Sequence, residues 1–327
     1  MSEKVLLECV NLKKHFDVPQ GTLHAVDDVT FSLYQGKTLG VVGESGCGKS
    51  TLGRTILRLT PATAGKIVFN GADITLKSPK DMIKLRQEMQ MIFQDPFASL
   101  DPKMTVSQII EEPLRIHKYK NKEKRSIRVN ELMHIVGLDE RYVNVYPHEL
   151  DGGRRQRIGI ARAIALNPKF IVCDEPVSAL DVSIQAQILN LMMDLKEELG
   201  LTYIFVTHDL SVVKHISDDI LVLYLGKMVE MTTSDRLFEN PLHPYTKALL
   251  SAIPIPDISY KGKEAEVMKG EVTSPIDPQP GCRFVNRCPM AKKRCGEETP
   301  DFREVENNHF VACHQYNDEA GRITDER

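Results

Sequence analysis

The sequence predicts an α/β protein built on a parallel sheet, and two stretches support that prediction. Thr38–Val42 is an apolar run that leads through a glycine-rich turn into a helical pattern at residues 50–59. Further along, residues 170–173, 184–199 and 202–206 read as strand, helix and strand. Strands that alternate with helices of this length form parallel sheets with crossover helices.

The glycine-rich turn is a predicted phosphate-binding loop. It reads Gly43-Glu44-Ser45-Gly46-Cys47-Gly48-Lys49-Ser50, which fits the pattern G-x-x-x-x-G-K-[ST] between a strand and a helix. Thr51, the next residue, is also a predicted nucleotide-binding residue. Its glycines let main-chain N–H groups converge on phosphate oxygens beside the positive end of the helix. Lys49 would contact the β- and γ-phosphates, and the Ser50 hydroxyl would bind Mg²⁺. The loop therefore predicts a bound nucleoside triphosphate.

Other elements are placed by their hydrophobic pattern. Residues 5–10 are apolar and residues 29–33 alternate, which is typical of half-buried strands, and 66–69 and 89–93 are short predicted strands. Residues from about 103 to 165 show apolar spacings of three and four, which predict a mostly helical subdomain. Residues 220–225 and 228–231 flank Gly226-Lys227 as a predicted hairpin.

Two acids follow the apolar run at residues 170–173. A buried strand delivers carboxylates at its carboxyl end, where α/β sheets bind ligands. Asp174 would hold Mg²⁺, directly or through water. Glu175 is placed to polarise an attacking water as a general base.

Composition and charge narrow the class of protein. The hydrophobic content of 42% and charged content of 27% are ordinary for a globular protein. A net charge of −3 gives no reason to expect nucleic acid binding, and the basic residues at 118–128 read as a solvated helix face. No apolar run approaches the ~18 residues that span a bilayer, and the first residues lack a signal-peptide pattern. We predict a cytoplasmic protein that reaches a membrane only through a partner.

The last part of the chain differs from the rest. From about residue 254 the composition becomes rich in proline, which predicts an extended connector. Four cysteines follow at a spacing of C-x₅-C-x₆-C-x₁₇-C, namely Cys282, Cys288, Cys295 and Cys313. Clustered cysteines in a cytoplasmic protein favour a metal site over disulfides. Four thiolates suit zinc or an iron–sulfur cluster, although structural zinc prefers closer pairs, and reduced thiols remain a third reading.

One further segment makes the pattern specific. Leu150-Asp151-Gly152-Gly153-Arg154 precedes a basic helix. The order of the phosphate loop, Gln94, this segment, Asp174-Glu175, residues 178–181 and His208 resembles the ATP-binding cassette (ABC) ATPases over roughly residues 4 to 250. The residues around these motifs resemble those of the dipeptide and oligopeptide importer ATPases. So does the stretch His243-Pro244-Tyr245-Thr246 near the end of the cassette. Within this subfamily the sequence most resembles the DppF or OppF type, and nickel importer ATPases have similar motifs.

The resemblance implies a fold and an active unit. It implies a P-loop, RecA-like core with a parallel sheet, an N-terminal antiparallel β-subdomain and the helical subdomain, together forming a nucleotide-binding domain over residues 1–253. A small cysteine-rich domain over 254–327 would follow, with a [4Fe–4S] cluster favoured over zinc. Two cassettes would sandwich two ATP molecules head to tail.

The resemblance also implies roles for individual residues. Gln94 would contact Mg²⁺ and the attacking water. His208 would hydrogen-bond the γ-phosphate and orient Glu175, and Phe16 would stack on adenine. Asp151, Gly152 and Gly153 would complete the site of the opposing subunit.

Partners and location are implied in the same way. We expect a DppD or OppD type ATPase in a heterodimer, or a second copy of the chain, with two transmembrane permeases on the cytoplasmic face of the membrane. An extracytoplasmic peptide-binding protein would act indirectly. The alternatives are a nickel or other small-solute importer ATPase, and a non-transport ABC ATPase or nucleotide-sensing module.

The chain departs from the family pattern at one segment. The usual form is L-S-G-G-Q, whereas Asp151 replaces the serine and Arg154 replaces the glutamine. A carboxylate about 4 Å from a γ-phosphate costs about 4 kcal/mol per unit charge at an effective dielectric of 20. We therefore expect this segment to weaken the site that it completes, with Arg154 or Arg155 offsetting part of the repulsion.

Overall fold

The computed structural model describes residues 4–253 and 274–317. Within them the elements follow in chain order as β1 (Val5–Val18), β2 (Gly21–Tyr34), β3 (Thr38–Val42), α1 (Lys49–Ile56), β4 (Ala64–Phe69), β5 (Ala72–Asp73), α2 (Pro79–Glu88), β6 (Met89–Ile92), α3 (Val106–Ile116), α4 (Lys122–Ile135), α5 (Gly152–Ile164), β7 (Phe170–Asp174), α6 (Val182–Leu199), β8 (Thr202–Val206), α7 (Leu210–Ile216), β9 (Asp219–Tyr224), β10 (Lys227–Thr233), α8 (Ser234–Glu239), α9 (Pro244–Ser251), α10 (Lys293–Glu297), β11 (Arg303–Glu306), β12 (His309–Val311) and α11 (His314–Asn317).

The chain divides into two compact units. Unit 1 holds residues 4–7, 33–38 and 69–206, and unit 2 holds residues 8–32, 39–68 and the described part from 207 onward. Each unit contains parallel strand pairs and helices, and the predicted α/β class is confirmed.

Unit 1 is built on three parallel strands. They lie in the order β8-β7-β6, with Val172 of β7 opposite Met91 of β6 and Ile204 of β8. Every residue of β7 and β8 is buried, which explains why both read as continuous apolar runs. The crossover helix α6 ends at Gly200, whose φ of 64° allows the left-handed cap.

Residues 103–165, all of them described, contain α3, α4 and α5 and no strand. Helix α3 begins with a capping box between Thr105 and Gln108. It buries four apolar residues at helical spacing, Val106, Ile109, Ile110 and Leu114, and packs against α4 and α5. The apolar face of α3 therefore holds this helical group together.

Unit 2 is built on a mixed sheet. Strand β3 pairs in parallel with β9, and β9 pairs antiparallel with β10 as the predicted hairpin. The long strands β1 and β2, 14 residues each, lie side by side in a second sheet that continues to β4. They extend well beyond the apolar stretches that predicted them, because their outer parts are polar and only half-buried.

The C-terminal segment, or tail (described residues 274–317), adds two strands to the sheet of unit 2. The sequence did not predict these strands. Strand β12 pairs antiparallel with β10, with Val311 opposite Glu230, and β11 pairs with β12. Glu230 is fully buried, and its carboxylate accepts hydrogen bonds from the main-chain N–H groups of Leu242 and His243 at 2.7 and 2.9 Å. His309 Nε2 lies 2.7 Å from the same carboxylate. The tail is thus part of the core of this unit.

The predicted proline-rich connector falls largely on residues 254–273, which lie outside the described residues. Its last part, residues 274–280, runs beside β2. Leu23 and Ile276 form an antiparallel bridge, and the His24 N–H donates to the Pro275 carbonyl at 2.9 Å.

Among the described residues, no helix combines the length and apolar character that a membrane crossing requires.

Candidate functional site

The phosphate loop lies between β3 and α1 of unit 2. The Lys49 ammonium is buried and donates to the carbonyls of Gly43 at 2.7 Å and Glu44 at 2.9 Å, across the mouth of the loop. Its Nζ also lies 3.8 Å from Cys47 Sγ, a thiol whose pKa is raised by burial. A buried cation held by carbonyls at a helix N-terminus suits an anionic ligand.

Two glycines of the loop are required by its geometry. Gly43 has a φ of 151° and Gly48 a φ of 102°. A Cβ on Gly43 would lie 2.2 Å from the Leu223 carbonyl oxygen, and one on Gly48 would lie 1.9 Å from that of Ala25. At Gly46 a Cβ would meet nothing within 4 Å. The loop is therefore closed on its protein side and open at Gly46, as a phosphate cradle must be.

The other loop residues take positions that fit the predicted roles. Ser45 is exposed, whereas Ser50 and Thr51 are half-buried in the first turn of α1. A hydroxyl at Ser50 with the buried Lys49 beside it is a donor set that fits Mg²⁺ and a triphosphate.

The acidic pair lies in unit 1, at the carboxyl end of β7. Asp174 is fully buried and Glu175 is half-buried. The Gln94 side-chain amide donates to Glu175 Oε2 at 3.1 Å, so the structure brings together two residues that are 81 positions apart. Oxygens of this kind suit Mg²⁺ and a polarised water.

The backbone at Glu175 is unusual and well anchored. Its φ is 45°, a left-handed conformation that is rare for residues other than glycine. Its N–H donates to the Val206 carbonyl at 2.9 Å, and the Ser178 hydroxyl donates to the Glu175 carbonyl at 3.1 Å. Strain held by such bonds is typical of functional positions.

Asp151 caps the helix α5 of unit 1. Its Oδ1 accepts a hydrogen bond from the Arg154 N–H at 2.8 Å, and its Oδ2 is bonded by the Arg154 guanidinium. Arg155 instead donates to the Leu150 carbonyl at 2.9 and 2.7 Å. Arg154, rather than Arg155, therefore neutralises the carboxylate.

The glycines of this segment are closely covered. A Cβ on Gly152 would lie 3.1 Å from Leu180, and one on Gly153 would lie 2.8 Å from Ile184. Larger residues would displace the start of α6 or the turn before it.

Phe16 and His208 belong to unit 2. Phe16 is half-buried on β1, and the Lys14 ammonium lies 4.5 Å from its ring centroid. His208 is exposed between β8 and α7. Gln94, Asp174 and Glu175 belong to unit 1, so the predicted site residues are divided between the two units.

The structure adds three residues that sequence reasoning missed as contributors to the site. The Tyr245 hydroxyl accepts a hydrogen bond from the Glu44 N–H at 2.8 Å. Arg287 donates to both carboxylate oxygens of Glu44 and lies 3.4 Å from the Tyr224 hydroxyl. The motif that begins at His243 drew attention to the region of Tyr245. No local signal marks Arg287, because its partner lies 243 positions away.

The four tail cysteines are free. Burial raises the pKa of Cys282 to about 11, and it also raises the pKa of Cys288 and Cys313. Among the described residues, the one group of three or more potential ligand atoms that all lie within 4.8 Å of one another is His15, His24 and Asp27, and it includes none of these thiols. Lys227 and Arg283 also pair with Asp27, and these cations disfavour a metal ion there.

Comparison with known proteins identifies the sequence relationships. A family model described as ABC transporter matches residues 26–178. A model described as oligopeptide/dipeptide transporter, C-terminal region, matches residues 229–295.

Curated relatives match over nearly the whole chain. The chain is 55% identical over 315 residues to the oligopeptide transport ATP-binding protein OppF of Bacillus subtilis, covering 96% of this chain and 97% of the relative. It is 52% identical over 321 residues to OppF of Escherichia coli, covering 95% and 96%.

Solved structures show the same fold. A dimeric post-hydrolysis state of the ATP-binding cassette MJ0796 bound to ADP and Pi matches with a TM-score of 0.65 and 30% identity, over 70% of this chain and 99% of that one. The protein cbiO1 from Clostridium perfringens, part of the ABC transporter complex cbiONQ, matches with a TM-score of 0.65 and 26% identity, over 73% of this chain and 92% of that one.

These findings correct the predicted [4Fe–4S] cluster. Neither the family descriptions nor the names of these relatives mention a cluster. The C-terminal segment also shares the core of unit 2, since β12 pairs with β10 and Phe284 is buried there, so it does not depend on a cluster for a core of its own. The four residues are therefore corrected to free cysteines.

Proposed function

Since the chain belongs to the ABC transporter ATPases of oligopeptide transport, we propose that it is the ATP-hydrolysing subunit of a peptide importer. Members of this family bind and hydrolyse ATP, and the chain carries the cassette motifs in the usual order, with Asp151 and Arg154 departing from the usual Leu-Ser-Gly-Gly-Gln segment. The finer proposal is that hydrolysis powers the uptake of dipeptides or oligopeptides. The names of its relatives and the C-terminal family match support the peptide substrate.

The observation that carries the proposal of hydrolysis is the hydrogen bond between Gln94 and Glu175 at the end of β7. In this bond the Gln94 side-chain amide holds the Glu175 carboxylate, while Val206 and Ser178 hold the Glu175 backbone. We assign Glu175 as the general base that takes a proton from the attacking water. Gln94 would orient that carboxylate and the water.

The phosphates would be held by unit 2. We assign the main-chain N–H groups from Gly46 to Thr51 to the phosphate oxygens, and Lys49 to the β- and γ-phosphates. Lys49 would then exchange its carbonyl partners for phosphate. Ser50, Asp174 and Gln94 are proposed as the residues that would hold Mg²⁺, whose positive charge would offset that of the phosphates. His208 is proposed to bond the γ-phosphate, and Phe16 to stack on adenine.

The assembly is also a proposal. A head-to-tail dimer, with a second ATPase or a second copy, would place Asp151, Gly152 and Gly153 on the partner's ATP. The dimer would sit against two permeases at the cytoplasmic face of the membrane, with an extracytoplasmic peptide-binding protein acting indirectly. The division into a nucleotide-binding domain over residues 1–253, with its helical subdomain at 103–165, and an extension over 254–327 is proposed on the same grounds.

Reconstitution of the chain with its permeases and partner ATPase in proteoliposomes tests this function. We expect peptide-stimulated ATP hydrolysis and uptake of a labelled tripeptide, both abolished by Glu175→Gln. Glu198→Gln is the matched control, because Glu198 is an exposed glutamate on α6. Hydrolysis coupled to nickel but not to peptide would refute the peptide substrate, and native turnover by Glu175→Gln would refute the proposed base.

A further inference from the structure

An ion pair connects the C-terminal segment to the phosphate loop. Arg287 lies in the short turn Val285–Arg287. Its Nη1 donates to Glu44 Oε2 at 2.6 Å, and its Nη2 donates to Glu44 Oε1 at 2.9 Å. Glu44 is the second residue of the phosphate loop. A guanidinium that makes two parallel bonds to a carboxylate fixes its orientation as well as its position.

Glu44 is held at three separate points. Its side chain is bound by Arg287, its N–H donates to the Tyr245 hydroxyl at 2.8 Å, and its carbonyl accepts from Lys49 Nζ at 2.9 Å. The preceding Gly43 has a φ of 151°, which glycine adopts without strain, so the chain can turn sharply just before Glu44. Fixing Glu44 therefore fixes where the loop leaves β3 and where the carbonyls that hold Lys49 point.

Arg287 is supported by a cluster of buried aromatic side chains. Phe284, three residues earlier, is 1% exposed and meets the ring of Tyr224 edge-on, with centroids 5.2 Å apart. It also lies 5.4 Å from the ring of Tyr245. The same aromatic cluster thus supports Arg287 and the hydroxyl that anchors the Glu44 N–H.

Arg287 is buried, with 9% of its surface exposed. Its hydrogen bonds to Glu44 raise its pKa above the ordinary arginine value, so the group stays charged. A buried cation that loses its partner is strongly unfavourable. The contact between the C-terminal segment and the loop is therefore a largely buried ion pair, with side-chain exposures of 7% for Arg287 and 23% for Glu44.

We propose that Arg287 is a positioning residue for ATP binding, which acts through Glu44 to set the shape of the phosphate loop. The C-terminal segment thereby becomes part of the nucleotide site, although Arg287 touches no phosphate itself. This inference rests on the proposed function only in taking the loop as the ATP site.

A double-mutant cycle tests the proposal on the full chain. The probe is a fluorescent ATP analogue with Mg²⁺, titrated at equilibrium against native protein, Arg287→Gln, Glu44→Gln and the double variant. We expect each single variant to bind about tenfold more weakly, equivalent to about 1.4 kcal/mol, since the lost bonds are charge-assisted. The double variant should bind no more weakly than either single one, because both changes remove the same constraint. Arg287→Lys should recover part of the affinity, since an ammonium can still make one ion pair.

Arg294→Gln is the matched control. Arg294 lies in the same tail and pairs with Glu298 at 2.7 Å on the exposed face of α10, and this variant should bind the analogue with native affinity. Thermal unfolding without nucleotide is measured for every variant, which separates loss of the fold from loss of binding. If Arg287→Gln does not fold, Arg287→Lys and Glu44→Gln supply the comparison.

Two results would overturn the inference. One is an Arg287 variant that unfolds at lower temperature but binds the analogue with native affinity, which would make the pair a structural contact alone. The other is additive loss of affinity in the double variant. Failure of the native chain to bind the analogue would instead refute the ATP site itself.

Discussion

Replacing Arg154 with Gln is expected to weaken ATP-dependent association of the chain far more than its folding. In the structure, Arg154 pairs with the Asp151 carboxylate at the start of α5, and both side chains are well exposed, at 42% and 56%. Loss of an exposed pair lowers the free energy of unfolding by at most about 1 kcal/mol. Asp151 would also keep its capping bond to the residue-154 N–H.

The effect at the ATP site is larger because the carboxylate would lose its counter-charge. In the proposed head-to-tail dimer, Asp151 faces the γ-phosphate bound by the partner. One unit of charge about 4 Å from another costs about 4 kcal/mol at an effective dielectric of 20, or roughly a thousandfold in association. Salt and the positive end of α5 reduce this, so we expect Arg154→Gln to weaken association between about tenfold and a thousandfold.

Asp151→Ser should act in the opposite direction. It removes the negative charge and leaves Arg154 available to the phosphate, while serine keeps the helix cap. The double variant restores the Ser-Gly-Gly-Gln sequence of the usual family segment and should associate at least as well as the native chain.

Sedimentation with and without ATP and Mg²⁺ measures these effects, for the chain alone and with a partner ATPase. All variants carry Glu175→Gln so that turnover does not dissolve the dimer. Arg128→Gln is the control, since Arg128 pairs with Glu131 at 3.2 Å on α4 and should not matter. Equal association of the Arg154→Gln and native chains, or weaker association of Asp151→Ser, would refute the electrostatic reasoning.

Three further predictions concern the nucleotide site and the core. Lys49→Ala should lose binding of an ATP analogue, measured by equilibrium titration, and native affinity would contradict its assigned role. Gly48→Ala should lower the nucleotide-free unfolding midpoint clearly more than Gly46→Ala, because its Cβ would lie 1.9 Å from the Ala25 carbonyl oxygen whereas that of Gly46 meets open space; equal midpoints would contradict this. Burial lowers the pKa of His243 to about 4 from its usual 6.5, so its contribution to stability is present above pH 6.5 and is lost as the pH falls towards 4. The loss is about 3 kcal/mol, measured by denaturant unfolding at stepped pH, and His243→Asn should flatten this acid limb.

The sequence predicted those parts of the molecule in which the signal is local. The phosphate loop is contiguous, and its glycines are required by backbone φ values that the motif encodes. The helical group at residues 103–165 was predicted because apolar residues, such as those of α3, repeat at helical spacing. Strands β7 and β8 were readable because both of their faces are buried.

The parts that the sequence did not predict depend on partners far apart in the chain. Strands β11 and β12 are short and half-polar, and β12 exists because β10 offers it an edge. The Arg287–Glu44 pair has no local pattern, and neither residue type is unusual where it stands. The four cysteines of the C-terminal segment misled in the opposite direction, because cysteine spacing alone does not establish a bound cluster.

The position of β12 on β10 has a consequence for attempts to shorten the protein. A truncated cassette ending near Ser251 would leave an unpaired row of peptide groups along β10, the kind of edge that recruits strands from other molecules. It would also leave the enclosed Glu230 carboxylate without His309. Such a fragment should form aggregates during purification, whereas in the longer chain β12 covers this edge of β10.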